Sequence, residues 1–251
     1  DLLRWSGIDE SQVQRWNLES LQQKDLLDFT RKFKKEKPLN LKANKLPECE
    51  ELDLNKTEHS VYIDYLNKRK IDLTEHTFYV TPNDEGRQGN RVIIPFTYKG
   101  EVIGHTSRYL DDRKPKFITE NQQPGYVFGY DFQKPDWQVC ILVEGIFDAL
   151  SINGCALTHN NISPEQARML SQLNRKIIMV PDRDKAGLGI CDEALYLGYD
   201  VSIPEWDVDI KDVNDAVIRY GRLPTLLSIL QSATSSKIKI EMRRKQLGKG
   251  L

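Results

Sequence analysis

The spacing of apolar positions changes near residue 138. Before it, two runs rich in β-branched and aromatic residues, Arg91–Tyr98 (RVIIPFTY) and Glu101–Tyr109 (EVIGHTSRY), flank Lys99-Gly100 and predict a β-hairpin. Lys116–Thr119 (KFIT) predicts a third strand. Val61, Tyr62, Tyr65 and Leu66 recur at near 3.6 spacing and predict a helix over Ser60–Arg69. Further upstream, Leu18, Leu21, Leu26, Leu27 and Phe29 predict an amphipathic helix that runs into a lysine-rich linker closed by Pro38 and Pro47.

From Gln138 onward short apolar runs alternate with helical segments, which is the pattern of βαβ units. QVCILV, KIIMV and DVSI predict buried parallel strands, with a weaker one at CALT. Helices are expected over Ile146–Asn153, from Pro164 to Leu173, over Ala186–Leu197 and over Val213–Tyr220. Ser163, Pro164 and Gln166 supply the second of these with an N-cap, a first-turn proline and a capping-box partner. The predicted class is α/β: a central, mainly parallel sheet flanked by helices, preceded by a smaller basic α+β subdomain. The expected divisions are a helical leader and basic linker over 1–56, the α+β subdomain over 57–137, the parallel-sheet domain over 138–222 and a basic helical segment over 223–251.

Composition narrows the function classes. The 251 residues are 39% apolar and 29% charged, a globular balance, and no window holds an apolar run long enough for a membrane span. A cytoplasmic protein with no membrane partner is expected. The formal charge is only −1, so any affinity for nucleic acid must come from segregation of charge. Residues 31–45 carry seven bases against one acid, a net of +6; residues 182–215 carry ten acids against three bases, a net of −7. From Lys237 to the end six bases face Glu241 alone, and a basic helix over Ser235–Gln246 is expected to dock a partner or nucleic acid. The four cysteines are scattered, with no paired spacing for zinc, and read as reduced thiols.

Functional groups in open parallel sheets gather beyond the carboxyl ends of the strands. Each such position here is acidic. QVCILV leads to Glu144-Gly145 with Asp148 one turn on; KIIMV leads to Asp182-Arg183-Asp184; the loop after DVSI leads to Lys211-Asp212, with Asp215 in the following helical turn. Carboxylates so crowded repel one another unless protonated or neutralised. Glu144, Asp182, Asp184 and Asp212 are therefore candidate ligands for Mg²⁺ or Mn²⁺, two or more ions, in phosphoryl transfer. Asp212, Asp148 and Asp184 also suit plain helix-cap or first-turn roles.

These residues carry a resemblance. ILVEGIFDAL, MVPDRDKAG and IKDVNDAV, in that order, resemble the Toprim domain shared by DnaG-type primases, topoisomerases and some nucleases. Upstream, RVIIPF, GEVIGHTSRYL, PKFIT and YVFGYD resemble the basic subdomain that precedes Toprim in DnaG-type primases, and KDVNDAVIRYG with the basic C-terminal helix looks most like the primase of T-even-type tailed phages. The resemblance covers residues 57–245. It implies a catalytic set of Glu144, Asp148, Asp182, Asp184 and Asp212, and contacts from Arg91, Arg108 and Lys116 to template and nucleotide phosphates.

One departure stands out: where the bacterial pattern has Gly between the two aspartates, this chain has Arg183, a side chain able to alter nucleotide access. The expected activity is synthesis of short RNA primers from NTPs on single-stranded DNA, with a replicative helicase as partner. Residues 1–56 would link to a zinc ribbon absent here, so no zinc is expected. The alternatives are a Toprim nuclease or topoisomerase-like strand cleaver, and a noncatalytic replisome scaffold.

Overall fold

The computed structural model describes residues 40–81, 89–159, 161–184 and 187–247. The predicted helix around Leu18–Phe29 and the basic residues 31–37 lie outside them. The described chain forms two five-stranded sheets.

The first sheet is wholly antiparallel and runs β1 (Glu50–Glu51), β2 (Tyr79–Thr81), β3 (Arg91–Tyr98), β4 (Glu101–Tyr109), β5 (Phe117–Glu120) in spatial as in chain order. Lys99 and Gly100 both take positive φ, 54° and 80°, so β3 and β4 close through the mirror-image turn that matches strand twist. Both turn amides donate to Asp131, at 3.0 Å each. Pro95 is tolerated because β2 pairs only as far as Ile93, leaving one side of β3 without a ladder at that point. Val80, Val92, Ile93, Ile94, Phe96 and Ile103 form the core. Helix α1 (Ser60–Lys68) packs Tyr62 and Leu66 inward.

Residues 40–56, expected as linker, are partly built into this sheet. Asn44 N donates to the Val102 carbonyl, and β1 pairs with β2. A two-residue strand is too short to register as a periodic pattern.

The second sheet is ordered β10-β9-β8-β6-β7, with β6 (Val139–Val143), β7 (Cys155–Ala156), β8 (Lys176–Met179) and β9 (Asp200–Ser202) parallel. Helices α2 (Ile146–Ile152), α3 (Pro164–Ser171) and α4 (Gly187–Tyr196) supply the crossovers, and α5 (Val213–Tyr220) follows β9. The capping box at α3 forms as expected, and Gln166 does more: its Nε2 donates to the carbonyls of Tyr126 and Leu157, tying the segment after β5 to the second sheet.

The C-terminal segment holds two helices. After α6 (Arg222–Ser232), β10 (Ala233–Thr234) adds antiparallel to β9, so the sheet extends past the expected boundary at 222. The basic helix follows as α7 (Lys237–Leu247). It buries Ile240 and ties Arg244 to Asp192 of α4, while Ile238 and Met242 stay exposed. Among the described residues no helix is long and apolar enough to cross a membrane. The four cysteines are free thiols, three of them buried.

Candidate active site

Three parallel strands deliver acids to one place because each ends where its apolar run ends. β6 stops at Val143, and Glu144 turns its Oε1 to accept the amide of Asp182, 3.0 Å away, just beyond β8. The Arg183 amide donates to the Lys211 carbonyl at 2.8 Å, drawing the loop after β8 against the loop that carries Asp212. Two glycines make this closeness possible. A Cβ on Gly187 would sit 2.6 Å from Glu144 Oε1 and 2.4 Å from the Asp182 carbonyl oxygen, and one on Gly145 would sit 2.1 Å from Asp148 Oδ2.

The electrostatics of the site follow from burial and like charge. Asp182 is pushed up to about 7, first by desolvation and then by Glu144, Asp212, Asp184 and Asp215. Glu144 is raised by burial and by Asp184, against the opposing pull of the Asp182 amide. Asp212 is also raised, mainly by burial, although the Asp215 amide, the Asp148 carboxyl and Arg69 favour its charged form. Among the described residues no Lys or Arg closes an ion pair with Glu144, Asp182, Asp184 or Asp212. Nor are three His, Cys, Asp or Glu side chains already drawn to metal-ligand spacing. Glu144, Asp182 and Asp212 are thus desolvated hard oxygen donors that repel one another, with the exposed Asp184 beside them, and that chemistry fits a divalent cation.

Asp148 is held by the start of α5. It is buried and held well above the ordinary carboxylate range by desolvation, then by Asp212 and Asp182. Its Oδ1 accepts the Asn214 amide at 2.7 Å, and its carboxyl lies within hydrogen-bonding reach of Asp212. It fixes the start of α5, and through it Asp212, as a positioning residue. Asp212 and Asp184 also take the cap roles their positions allowed: Asp212 Oδ1 accepts Asp215 N at 2.7 Å, and Asp184 Oδ1 accepts Gly187 N at 2.8 Å.

The basic residues separate into three situations. Arg91 is fully buried: its guanidinium donates to the carbonyls of Ser107, Lys116 and Pro115 and lies 3.4 Å from the centre of the Tyr109 ring. Those donors serve the backbone of β4 and of the segment entering β5, beside the contact with phosphate that was expected of this residue. Lys116 is half-exposed just before β5, paired only loosely with Asp112 at 3.3 Å. Arg108 stacks on Phe117 and donates Nε to the Tyr65 hydroxyl at 3.0 Å.

Tyr65 leads to residues that the sequence pattern did not single out. Its hydroxyl also accepts from Arg69 Nε at 3.0 Å; Arg69 Nη1 donates to Asn214 Oδ1 at 3.0 Å, and Asn214 Nδ2 returns a bond to the Arg69 carbonyl at 2.8 Å. Arg69 also covers the Phe147 ring, 4.5 Å from its centre. One hydrogen-bonded chain therefore runs from Arg108 through Tyr65, Arg69 and Asn214 to Asp148 and Asp212. Asn214 lies inside the KDVND motif, and Arg69 at the end of the predicted helix Ser60–Arg69.

Arg183 does not project into the crevice. Its Nη1 donates to the carbonyls of Trp206, Asp207 and Ile210, at 3.2, 2.7 and 3.0 Å, so it anchors the loop leading to Asp212.

Residues 141–217 match the family model described as Toprim-like. A DNA primase of Clostridium acetobutylicum is 29% identical over 189 residues, covering 66% of this chain and 31% of the relative. The chain spans less than a third of the length of the curated relatives it matches. Among solved structures, the DnaG primase catalytic domain bound to ssDNA aligns with a TM-score of 0.62 at 18% identity, over 77% of this chain and 78% of that one. The E. coli primase catalytic core gives 0.60 at 20% identity, over 77% and 80%. The described chain has the α/β fold of DnaG-type primase catalytic cores, its second sheet lying largely within the residues that match the Toprim-like model.

Proposed function

We propose that this chain is the catalytic core of a DNA primase, joining ribonucleotides on a single-stranded DNA template to make RNA primers. One observation carries the reading: desolvated acids from three strand ends meet at a site joined by continuous hydrogen bonds to a stacked arginine of the antiparallel sheet. The first feature suits metal-dependent chemistry on phosphates and the second a polyanionic strand. Similarity to part of curated DNA primases supports it from a separate direction.

Glu144, Asp182, Asp184 and Asp212 would hold Mg²⁺ or Mn²⁺. When bound, such ions favour ionisation of an attacking 3′-hydroxyl and stabilise the charge leaving on pyrophosphate. The protein's own part is placement. Asp148 and Asn214 set Asp212, Arg183 sets its loop, and the amide of Asp182 orients Glu144. Arg108 and Lys116 would contact template or nucleotide phosphates, and Arg91 would act behind them by shaping the strands they sit on. A helicase partner, a cytoplasmic setting in a bacterial host and kinship with T-even-type phage primases belong to the same proposal, the last supported by KDVNDAVIRYG and the basic α7.

The chain incubated with labelled NTPs, Mg²⁺ and single-stranded DNA should yield new oligoribonucleotides. Shortened DNA would make it a nuclease, and no reaction a scaffold. Arg108→Ala should weaken DNA or nucleotide binding by about 1.5–3 kcal/mol, the worth of a charge-assisted contact, and lower the salt dependence of DNA binding. Affinity and KM both unchanged would reduce Arg108 to a packing residue on β4.

A further inference from the structure

The last two helices turn apolar faces to solvent. In α6 the buried side is marked by Thr225 and Ile229, and at about 100° per residue the opposite side is Leu223, Leu227 and Leu230, which are 45–68% exposed. No charged residue occurs from Leu223 to Ser236, fourteen positions in a chain that is 29% charged. A surface helix ordinarily shows water a polar face, and an apolar stripe in its place marks a contact surface. Acids border it. The loop after β9 is fastened to α6 by Trp206 Nε1, which donates to Ser228 Oγ at 2.9 Å, and to α5 by the Asp207 amide, which donates to the Tyr220 hydroxyl at 3.0 Å. That loop exposes Glu205, Asp207 and Asp209. Glu205 pairs with Arg243 and Asp207 meets Arg219 only at 3.7 Å, so the loop keeps an acidic character beside the stripe.

Helix α7 has the converse pattern. Ile240 is its buried residue, and the side opposite carries Ile238 and Met242, 75% and 60% exposed, between Lys239 and Lys245. Among the described residues neither lysine closes an ion pair. The two faces do not cover each other within one chain, since α6 packs on α5 and α2, α7 packs on α4, and both stripes are exposed. An apolar stripe edged by acids and an apolar stripe edged by bases complement each other in sign and in the surface they would bury.

We propose that α7 of one copy of this chain docks on α6 of a second copy, Ile238 and Met242 against Leu223, Leu227 and Leu230, with Lys239 and Lys245 reaching Asp207 and Asp209. The contact is heterologous, so a pair leaves one α6 face and one α7 face open for further copies. Apolar side chains at the centre of the basic face favour a protein surface, because a phosphate backbone would use the lysines alone.

The test is sedimentation of the full chain and of two variants, Leu223→Lys/Leu227→Lys on α6 and Lys239→Glu/Met242→Glu on α7, with thermal unfolding to check that these exposed positions leave the fold intact. If either double variant unfolds early, the single changes Leu227→Lys and Met242→Glu replace it. The wild type should associate as its concentration rises over about 1–200 µM, and added salt should weaken the association. Each variant alone should remain a single copy. The two mixed should form a 1:1 pair and nothing larger, because each retains the face the other lacks. A wild type that stays a single copy throughout overturns the proposal. So does an α7 variant that still associates, which would put α6 against α6, and so do mixed variants that fail to pair. Loss of single-stranded DNA affinity in the α7 variant, with no association in the wild type, assigns α7 to the template and likewise overturns it.

Discussion

Asp182→Asn will make the protein more stable and nearly inactive. The carboxyl of Asp182 stands at about 7 in the folded chain against an ordinary 3.8, so between these values the native state keeps a proton that the unfolded state has lost. The stabilisation from that proton is complete below about pH 4 and disappears as pH rises through 7. At pH 8 the metal-free protein carries the full repulsion of the cluster, and the neutral, isosteric asparagine relieves it. The expected gain at pH 8 is on the order of 2 kcal/mol, or about 5 °C in Tm, shrinking toward pH 5. Mg²⁺ should raise the Tm of the wild type more than that of the variant. Primer synthesis should fall by on the order of 100-fold or more, as when a charge-stabilising group leaves a reacting centre. A variant with wild-type activity and the same Mg²⁺ response would remove Asp182 from the metal site.

Arg91→Ala acts in the opposite sense. Its guanidinium bonds three carbonyls from two segments and is sealed under Tyr109, so removing it leaves buried acceptors without their donor. A loss of about 3–5 kcal/mol is expected, seen as a lower urea midpoint and as faster amide exchange in β3, β4 and β5. Arg91→Lys should not restore it, because an ammonium cannot present the planar fork that reaches all three carbonyls. If Arg91→Ala instead keeps its stability and loses only DNA affinity, Arg91 contacts phosphate after all.

Much of this structure could be read from residue spacing. Ser60–Arg69, Arg91–Tyr98, Glu101–Tyr109 and Val213–Tyr220 end within a residue of where periodicity and turn chemistry put them, since each contains enough apolar positions to define a period. β1 and β10, two residues each, are specified by the strands they pair with and not by their own sequence. The acids at the strand ends were legible because a parallel sheet dictates where chemistry collects. The roles of individual side chains were not. Arg91 and Arg108 occupy facing strands with similar neighbours, yet one is enclosed by carbonyls and the other stacks on an aromatic ring beside Tyr65. Whether a charge is met by backbone or by a ligand depends on segments distant in the chain, such as the turn before β5. Arg183 gives the same lesson, as its partners lie some 23 to 27 residues downstream.

The two sheets are joined at well-separated points. Phe128 and Ala156 exchange backbone bonds, Gln166 reaches Tyr126, His76 meets the Leu150 carbonyl, Glu75 meets both Asn153 and Arg222, and Arg69 interlocks with Asn214. Ties this dispersed leave no single axis about which one half could swing without breaking bonds elsewhere. The described residues between 40 and 247 therefore form a jaw of fixed width, which in the proposed primase would sort nucleotides by fit and not by snapping shut on the right one. The selectivity that induced fit adds in other enzymes would then not arise from a swing of one sheet against the other.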